Sequence, residues 1–127
     1  MIRSGARPEI LPPRLHGIMN DSENSITVQQ LRQWFDDGTP CALLDVREPW
    51  ELEICRFPDA RAIPLSSLPA RVGELGTTVP LVVICHHGIR SLHAVAWLQA
   101  NGIAGATNLS GGIDAWAREI DPSMGVY

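Results

Sequence analysis

The 127-residue chain is long enough for one domain that buries roughly two-thirds of the surface its unfolded form would expose. Its 45% hydrophobic and 19% charged residues are typical of an ordinary soluble globular protein. A net charge of −4 without a basic stripe argues against nucleic acid as a partner, and no run of about eighteen apolar residues is present to cross a membrane.

The first 24 residues differ from those that follow, since residues 1–14 carry three prolines, three arginines and no hydrophobic period. This composition predicts a flexible tail over 1–24, followed by a single domain over 25–127. Met19 stands just before the first recognisable element, so translation starts either at Met1 or at Met19. Three cysteines, an odd number, and no signal-like apolar segment indicate a reducing compartment, and we expect a cytoplasmic protein.

From residue 25 onward, short apolar strands alternate with helical patterns. Strands are predicted over 26–28, 42–46, 61–65, 81–85 and 106–109. Helices are predicted over 28–37, over 89–101 and over 113–119, and another begins near Ser66 or Ser67 with Leu68, Val72 and Leu75 facing inward. Because alternation at this pitch is typical of parallel sheets, the sequence predicts an α/β fold with a central, mostly parallel five-stranded sheet and helices on both faces.

The most informative segment is the run from 81 to 91. An apolar strand ends at Cys85, a short polar loop turns at Gly88, and a helical pattern follows. A thiol in this position faces unpaired N–H groups and the positive end of the helix dipole, which stabilise an anion. Arg90 and the adjacent His86 and His87 add positive charge. The pattern therefore predicts Cys85 as a nucleophilic thiolate.

Two simpler interpretations of these residues were weighed. A lone cysteine at the end of an apolar strand is usually a small buried hydrophobe, but the glycine, the arginine and the strand-to-helix change favour a nucleophile. His86 and His87 could be metal ligands, yet adjacent histidines do not easily share a tetrahedral ion, and no second Cys/His cluster is spaced to complete a site. We predict neither a metal nor another cofactor.

The spacing within the loop selects the chemistry. Four residues separate Cys85 from Arg90, and Ser91 follows. Protein tyrosine phosphatases build an anion cradle from a similar loop, but with five intervening residues. One residue fewer gives a tighter ring of amides, which suits one extra sulfur atom better than a tetrahedral phosphate. A phosphatase or an arsenate reductase stays as an alternative enzyme class.

The loop at 85–91, Cys-His-His-Gly-Ile-Arg-Ser, resembles the Cys-x-x-Gly-x-Arg-[Ser/Thr] loop of rhodanese-like sulfurtransferases. Three further segments are similar to family motifs in the expected order: Leu-Leu-Asp-Val-Arg-Glu-Pro-Trp-Glu at 43–51, Ala-Arg-Ala-Ile-Pro at 60–64 and Leu-Ser-Gly-Gly-Ile-Asp-Ala-Trp at 109–116. The resemblance covers about 25–117 and implies the rhodanese-like fold. Arg56 and Asp59 depart from the family, which commonly has His and Gly there, and this departure concerns substrate preference.

The resemblance implies a sulfurtransferase that moves a sulfane sulfur from a donor such as thiosulfate to a thiophilic acceptor through a persulfide. The catalytic residue is then Cys85. The active-site loop that binds the substrate consists of His86, His87, Gly88, Ile89, Arg90 and Ser91, with Arg90 either steering an anionic donor or bracing the loop. Asp45 and Arg47 follow a buried strand, and we expect them to support the site by capping a turn and pairing with each other or with a neighbouring loop.

The expected partners are small sulfur-containing anions and thiols. A protein that donates or accepts sulfur stays open as a further partner. The alternative function is a persulfide carrier or docking module that acts with a protein and turns over small molecules slowly. Cys41, near a strand start, is predicted to be inert. For Cys55, near the active face, a resolving partner of Cys85 and a bystander thiol both stay open.

Overall fold

The computed structural model describes residues 24–76 and 78–127. The chain runs through β1 (Ser25–Ile26), α1 (Val28–Asp37), β2 (Ala42–Asp45), α2 (Pro49–Leu52) and β3 (Arg61–Ala62). It continues through α3 (Leu68–Arg71), which lies between the 3-10 helices Leu65–Ser67 and Val72–Glu74. The remaining elements are β4 (Leu81–Ile84), α4 (Ile89–Ala100), β5 (Ala106–Leu109) and α5 (Gly112–Glu119).

The five strands form one sheet in the order β1-β5-β4-β2-β3, and every neighbouring pair is parallel. The central strand β4 is buried along its whole length. Because successive side chains of a strand point to opposite faces, Leu81 and Val83 join a core with α3 and α4, whereas Val82 and Ile84 join a second core with α1 and α5. The predicted α/β fold, with a parallel five-stranded sheet covered on both faces, is confirmed.

The first helix begins and ends where the sequence predicted, but the strand predicted before it is too long. Thr27 caps α1: its hydroxyl accepts from Gln30 N at 3.1 Å, and the Gln30 side chain accepts from Thr27 N at 2.8 Å. This reciprocal pair is a capping box, which satisfies two amides that a helix start leaves unpaired. The strand therefore ends at Ile26, and Gly38 ends the helix with a φ of 71°.

The strand and the helix predicted around residue 65 are shorter than expected. Strand pairing in β3 ends at Ala62, although Ile63 N and Leu65 N still donate to Asp45 O and Val46 O at 3.0 Å, and the chain turns into a 3-10 helix at Leu65. The helical segment that follows contains only four α-helical residues between two 3-10 turns, with Pro69 in its first turn and Gly73 shortly after its end. Leu68 is nevertheless buried, so the predicted inward face is kept.

Some expectations fall on residues that the structure does not describe. The tail predicted over 1–24 lies outside the described residues except for Asn24, and both candidate start positions, Met1 and Met19, lie outside them as well. The single domain over 25–127 stays a prediction. Within 24–76 and 78–127, none of the helices has the length and apolar character needed to span a bilayer.

Candidate active site

Cys85 follows the last residue of β4 and is 1% exposed. Helix α4 begins at Ile89, so the sulfur lies between a strand end and a helix N-terminus, the position that the sequence predicted. Its Sγ atom accepts hydrogen bonds from Gly88 N at 3.1 Å, Ser91 N at 3.3 Å and Ser91 Oγ at 3.2 Å. These contacts direct two backbone amides and one hydroxyl at a single buried sulfur, where hydrogen bonds can stabilise a developing negative charge.

The start of α5 fixes the back of this loop. The amides of Ile113 and Asp114 donate to the carbonyl oxygens of Cys85 and His86, at 2.9 and 3.0 Å. This approach requires a glycine at 112, where φ is +65° and an added Cβ would lie 2.6 Å from Cys85 O. The glycine pair at 111–112 is thus a tight turn into the last helix, and it holds the carbonyls so that the loop amides face the sulfur.

Arg90 braces the loop from the outside. Its two terminal nitrogens donate to the two carboxylate oxygens of Glu51, both at 2.8 Å, in a bidentate pair. The hydrogen bonds from Arg90 lower the pKa of Glu51 to about 2, although burial opposes this shift. Because the guanidinium fork is occupied by a carboxylate whose side chain is only 3% exposed, the contacts of Arg90 support the bracing role. Glu51 closes the motif at 43–51 but was not predicted as a site residue.

Tyr127 joins the same network from the far end of the described chain. Its hydroxyl donates to Glu51 Oε1 at 2.8 Å and accepts from Arg47 Nη1 at 3.0 Å. Its ring stacks on His86 with centroids 3.8 Å apart and planes within 8°. Burial raises the pKa of Tyr127 to about 12, with a further contribution from the hydrogen bond to Glu51. Nothing in the local sequence singled out this residue, which lies 76 positions from Glu51.

Asp45 and Arg47 form a fully buried ion pair with a shortest nitrogen–oxygen distance of 2.8 Å. Asp45 also accepts from Arg47 N at 3.1 Å, which closes the turn after β2. The guanidinium reaches further, to Cys55 O at 2.8 Å and Glu51 O at 3.3 Å. Burial disfavours this charge most strongly of any single cause, but the hydrogen bonds and charges of Asp45 and Tyr127 together more than compensate, and the pKa of Arg47 rises. The pair thus anchors the segment that carries Glu51, and the supporting role of Asp45 and Arg47 stays a prediction.

His86 and His87 stack on each other, with ring centroids 3.8 Å apart and planes 28° apart. Their nitrogens and the Asp114 carboxylate lie within 4.8 Å of one another, a grouping that the sequence argument did not anticipate. Within the described part of the chain, His86 Nε2 and Asp114 Oδ1 are buried without a hydrogen-bond partner. Near-parallel rings direct their lone pairs side by side rather than to one point, so the prediction of no metal stays as it was made. Burial and then the neighbouring His87 lower the pKa of His86.

Behind the sulfur, the Ser91 side chain makes a second polar contact. Its hydroxyl forms a short hydrogen bond to Asn108 Oδ1 as well as the contact to Cys85. Asn108 Nδ2 donates in turn to Ser25 Oγ at 3.1 Å. Ser91 and Asn108 are 0% and 1% exposed. Ser91 was predicted as part of the loop, whereas Asn108 was not, because a single Asn on a strand has no distinctive sequence signal.

The other two cysteines are partly buried free thiols. Cys55 packs against the core beneath α1 and α5, on the segment that Arg47 holds. Cys41 lies in the lining of a cavity of about 670 Å³ between α1, β2 and residues 57–61, and burial raises the pKa of its thiol. This cavity contains none of the predicted site residues. Arg56 is exposed.

The family model described as "Rhodanese-like domain" matches residues 27–119. The chain belongs to the rhodanese-like domain family. Among curated proteins, this rhodanese-like chain is 38% identical over 106 residues to the probable adenylyltransferase/sulfurtransferase MoeZ of Mycobacterium tuberculosis. The aligned region covers 82% of the chain but only 27% of that protein. It is 37% identical over 95 residues to a sulfurtransferase of Allochromatium vinosum, covering 75% of the chain and 89% of that protein.

Solved structures agree with this membership. A rhodanese-like domain protein from Staphylococcus aureus superposes with a TM-score of 0.71 at 30% identity, covering 82% of this chain and 98% of that one. A rhodanese-related protein from Thermoplasma volcanium gives a TM-score of 0.70 at 33% identity, with 76% and 93% covered. The chain spans about a quarter of the length of the first curated relatives it matches. Family membership and the relatives named as sulfurtransferases support a sulfurtransferase role.

Proposed function

We propose that this rhodanese-like domain moves a sulfane sulfur from a donor such as thiosulfate to a thiophilic acceptor through a persulfide on Cys85. The thiolate attacks the outer sulfur of thiosulfate. A new sulfur–sulfur bond forms at Cys85, the sulfur–sulfur bond of thiosulfate breaks, and sulfite leaves with the electron pair. An acceptor such as cyanide or a thiolate then attacks the terminal sulfur, and the Cys85 thiolate leaves. Two separate transfers predict ping-pong kinetics.

The observation that carries this proposal is the pair of backbone amides that donate to Cys85 Sγ, with the Ser91 hydroxyl beside them. The thiolate is the attacking group of the first transfer and the leaving group of the second, so groups that stabilise it increase the amount of attacking thiolate in the first step and assist its departure in the second. The amide ring that follows is short, with four residues between Cys85 and Arg90, and it has the size for one terminal sulfur. The free cysteines at 41 and 55 are consistent with a reducing compartment such as the cytoplasm.

A persulfide carrier that exchanges sulfur with a protein is the second candidate. Its support comes from the outer side of the loop, where Glu51 occupies the guanidinium of Arg90 and reduces the attraction for a small anionic donor. Trp50 and Ile89, the neighbours of this pair in sequence, are 61% and 65% exposed. The curated relatives named MoeZ and MOCS3 carry both an adenylyltransferase and a sulfurtransferase function in their names, which fits a domain that works beside other proteins.

Sulfur transfer from thiosulfate to cyanide, measured on the wild type and on Cys85→Ala, tests the proposal. We expect thiocyanate formation to disappear in Cys85→Ala. The matched control is Cys55→Ala, which removes a different, partly buried thiol and is expected to retain the activity. Loss of activity in Cys55→Ala alone would contradict the proposal. Turnover that is negligible with thiosulfate but appears when a persulfidated protein is the donor would favour the carrier.

A further inference from the structure

The hydroxyl of Ser91 has two acceptors within reach and only one proton to donate. The Cys85 Sγ atom lies 3.2 Å from Ser91 Oγ, and Asn108 Oδ1 makes a still shorter contact with the same oxygen. All three side chains are buried. Because a hydroxyl donates one hydrogen bond at a time, a proton directed to Asn108 is withdrawn from the sulfur.

Asn108 is held in the orientation that makes it an acceptor for Ser91. It lies on β5 in register with Val83 of β4, the strand that leads to Cys85. Its Nδ2 atom donates to Ser25 Oγ at 3.1 Å, which turns the carboxamide oxygen toward Ser91. The side chains of Cys85, Ser91, Asn108 and Ser25 thus form a hydrogen-bonded series that starts at the nucleophile, and its first three members are buried.

We propose that Asn108 is a positioning residue that draws the Ser91 proton away from the Cys85 sulfur and thereby limits how strongly the thiolate is stabilised. When the sulfur carries a proton, it donates to Ser91 Oγ and Ser91 donates to Asn108, so every group is paired. When the thiolate forms, the sulfur and Asn108 compete for one proton. A thiolate that is stabilised more strongly is more abundant but less nucleophilic, so the competing acceptor affects both quantities.

The test is the rate at which iodoacetamide alkylates Cys85, followed by peptide mass so that Cys41 and Cys55 are counted separately. At acidic pH, where the thiol dominates, Asn108→Leu removes the competing acceptor and we expect alkylation to become about threefold faster or more, the value of one hydrogen bond. Asn108→Asp keeps a stronger acceptor and is expected to slow it by a similar factor. A change in the same direction in both variants would indicate a packing effect and overturn the proposal.

The effect must also depend on Ser91. In a Ser91→Ala background we expect Asn108→Leu to leave the alkylation rate unchanged and Asn108→Asp to lose most of its effect. An Asn108→Leu effect that persists in this background contradicts the proposal. The titratable side chains of the loop, Arg90, His86 and His87, are the same in all variants. If the Leu variant does not fold, the Asp variant with and without Ser91 decides the matter.

The inference rests on Cys85 as the nucleophile of the proposed function, but the two fail separately. Alkylation by iodoacetamide needs neither a sulfur donor nor an acceptor. A chain that transfers no sulfur yet shows the two opposite shifts would refute the sulfurtransferase proposal alone. A chain that transfers sulfur through Cys85 but shows no Ser91-dependent shift would refute the role of Asn108 alone.

Discussion

The inner wall of the Cys85 loop (the amides of Gly88 and Ser91, with Asn108 behind them) is built differently from its rim (Glu51, Arg90, His86 and Tyr127). The wall consists of backbone groups and short side chains, all buried, that touch the sulfur directly or through one atom. The rim consists of long charged and aromatic side chains that join segments 39 and 76 residues apart.

This difference indicates that the wall and the rim have separate roles in the site. The wall provides hydrogen bonds to the reacting atom, so changes there are expected to affect the chemical step itself. The rim touches the loop through Arg90 and His86, so changes there are expected to act by shifting the position of the loop. The predictions below test that division, beginning with the backbone behind the wall.

Gly112→Ala is expected to have the largest effect. Its new Cβ would press on the carbonyls of Cys85 and His86 and push the loop amides away from the sulfur. The matched control is Gly102→Ala, where φ is +94° but no atom lies within 4 Å of the new Cβ. Both variants incur about 1 kcal/mol for a left-handed alanine, measurable as a drop in the free energy of unfolding in urea. We expect only Gly112→Ala to lose more than about tenfold in kcat/KM for thiosulfate, the loss of at least one charged hydrogen bond. Equal activity in the two variants would contradict the argument.

Glu51→Gln is expected to lower kcat/KM by roughly tenfold, because hydrogen bonds between charged groups contribute about 1.5 kcal/mol or more. Steady-state kinetics distinguish the two roles of Arg90. A braced loop predicts lower kcat/KM, whereas a donor-steering guanidinium released from Glu51 predicts a lower KM for thiosulfate. Exposed Arg32–Asp36 provides the control pair, since Asp36→Asn removes an ion pair remote from the loop.

The same carboxylate gives a pH signature of stability. The pKa of Glu51 is about 2 in the folded state, below its ordinary value of 4.5. The ionised group therefore stabilises the fold fully above about pH 4.5, and this contribution declines as pH falls toward 2. The difference in urea midpoint between wild type and Glu51→Gln should be larger at pH 7 than near pH 3. A difference that grows on acidification would have the wrong sign.

Tyr127→Phe is expected to have the smallest effect. The substitution removes the hydroxyl that joins Glu51 to Arg47 but keeps the ring that stacks on His86. This hydroxyl does not touch the sulfur, and Glu51 keeps both hydrogen bonds from Arg90 without it, so its loss predicts a fall of about two- to fivefold in kcat/KM. Tyr127→Ala, which also removes the stacking, should lower it further, and kinetics at fixed pH compare the two. Identical values for Phe and Ala would show that the ring contributes nothing to the position of the loop.

The sequence could predict the wall better than the rim, for a physical reason. Cys85, Gly88 and Ser91 lie within seven residues, and a strand end, a positive-φ turn and a helix start leave local signals in that stretch. Asn108 meets Ser91 only because β5 pairs with β4, and Tyr127 meets Glu51 only through tertiary contact. Neither contact can be predicted from residues that are neighbours in the sequence.

The same distinction holds in the fold. Helix α1 has its capping box and its C-terminal glycine inside the helix signal itself, so its bounds were predicted correctly. The segment after β3 has an inward-facing pattern that was predicted, but the proline at 69 and the glycine at 73 leave only a short α-helix between 3-10 turns. Here the backbone preferences of proline and glycine make the α-helix shorter than the spacing of the hydrophobic residues alone predicts.

The most direct test of the account is the mass of the intact protein after incubation with thiosulfate and removal of the free donor. We expect the intact protein to gain about 32 Da, the mass of one sulfur atom, and to lose it when cyanide is added. Peptide mapping of the adduct should place the added sulfur on Cys85. The Cys85→Ala variant should show no gain. A sulfur adduct that persists in Cys85→Ala, or one that maps to Cys41 or Cys55, would contradict the claim that Cys85 carries the sulfur.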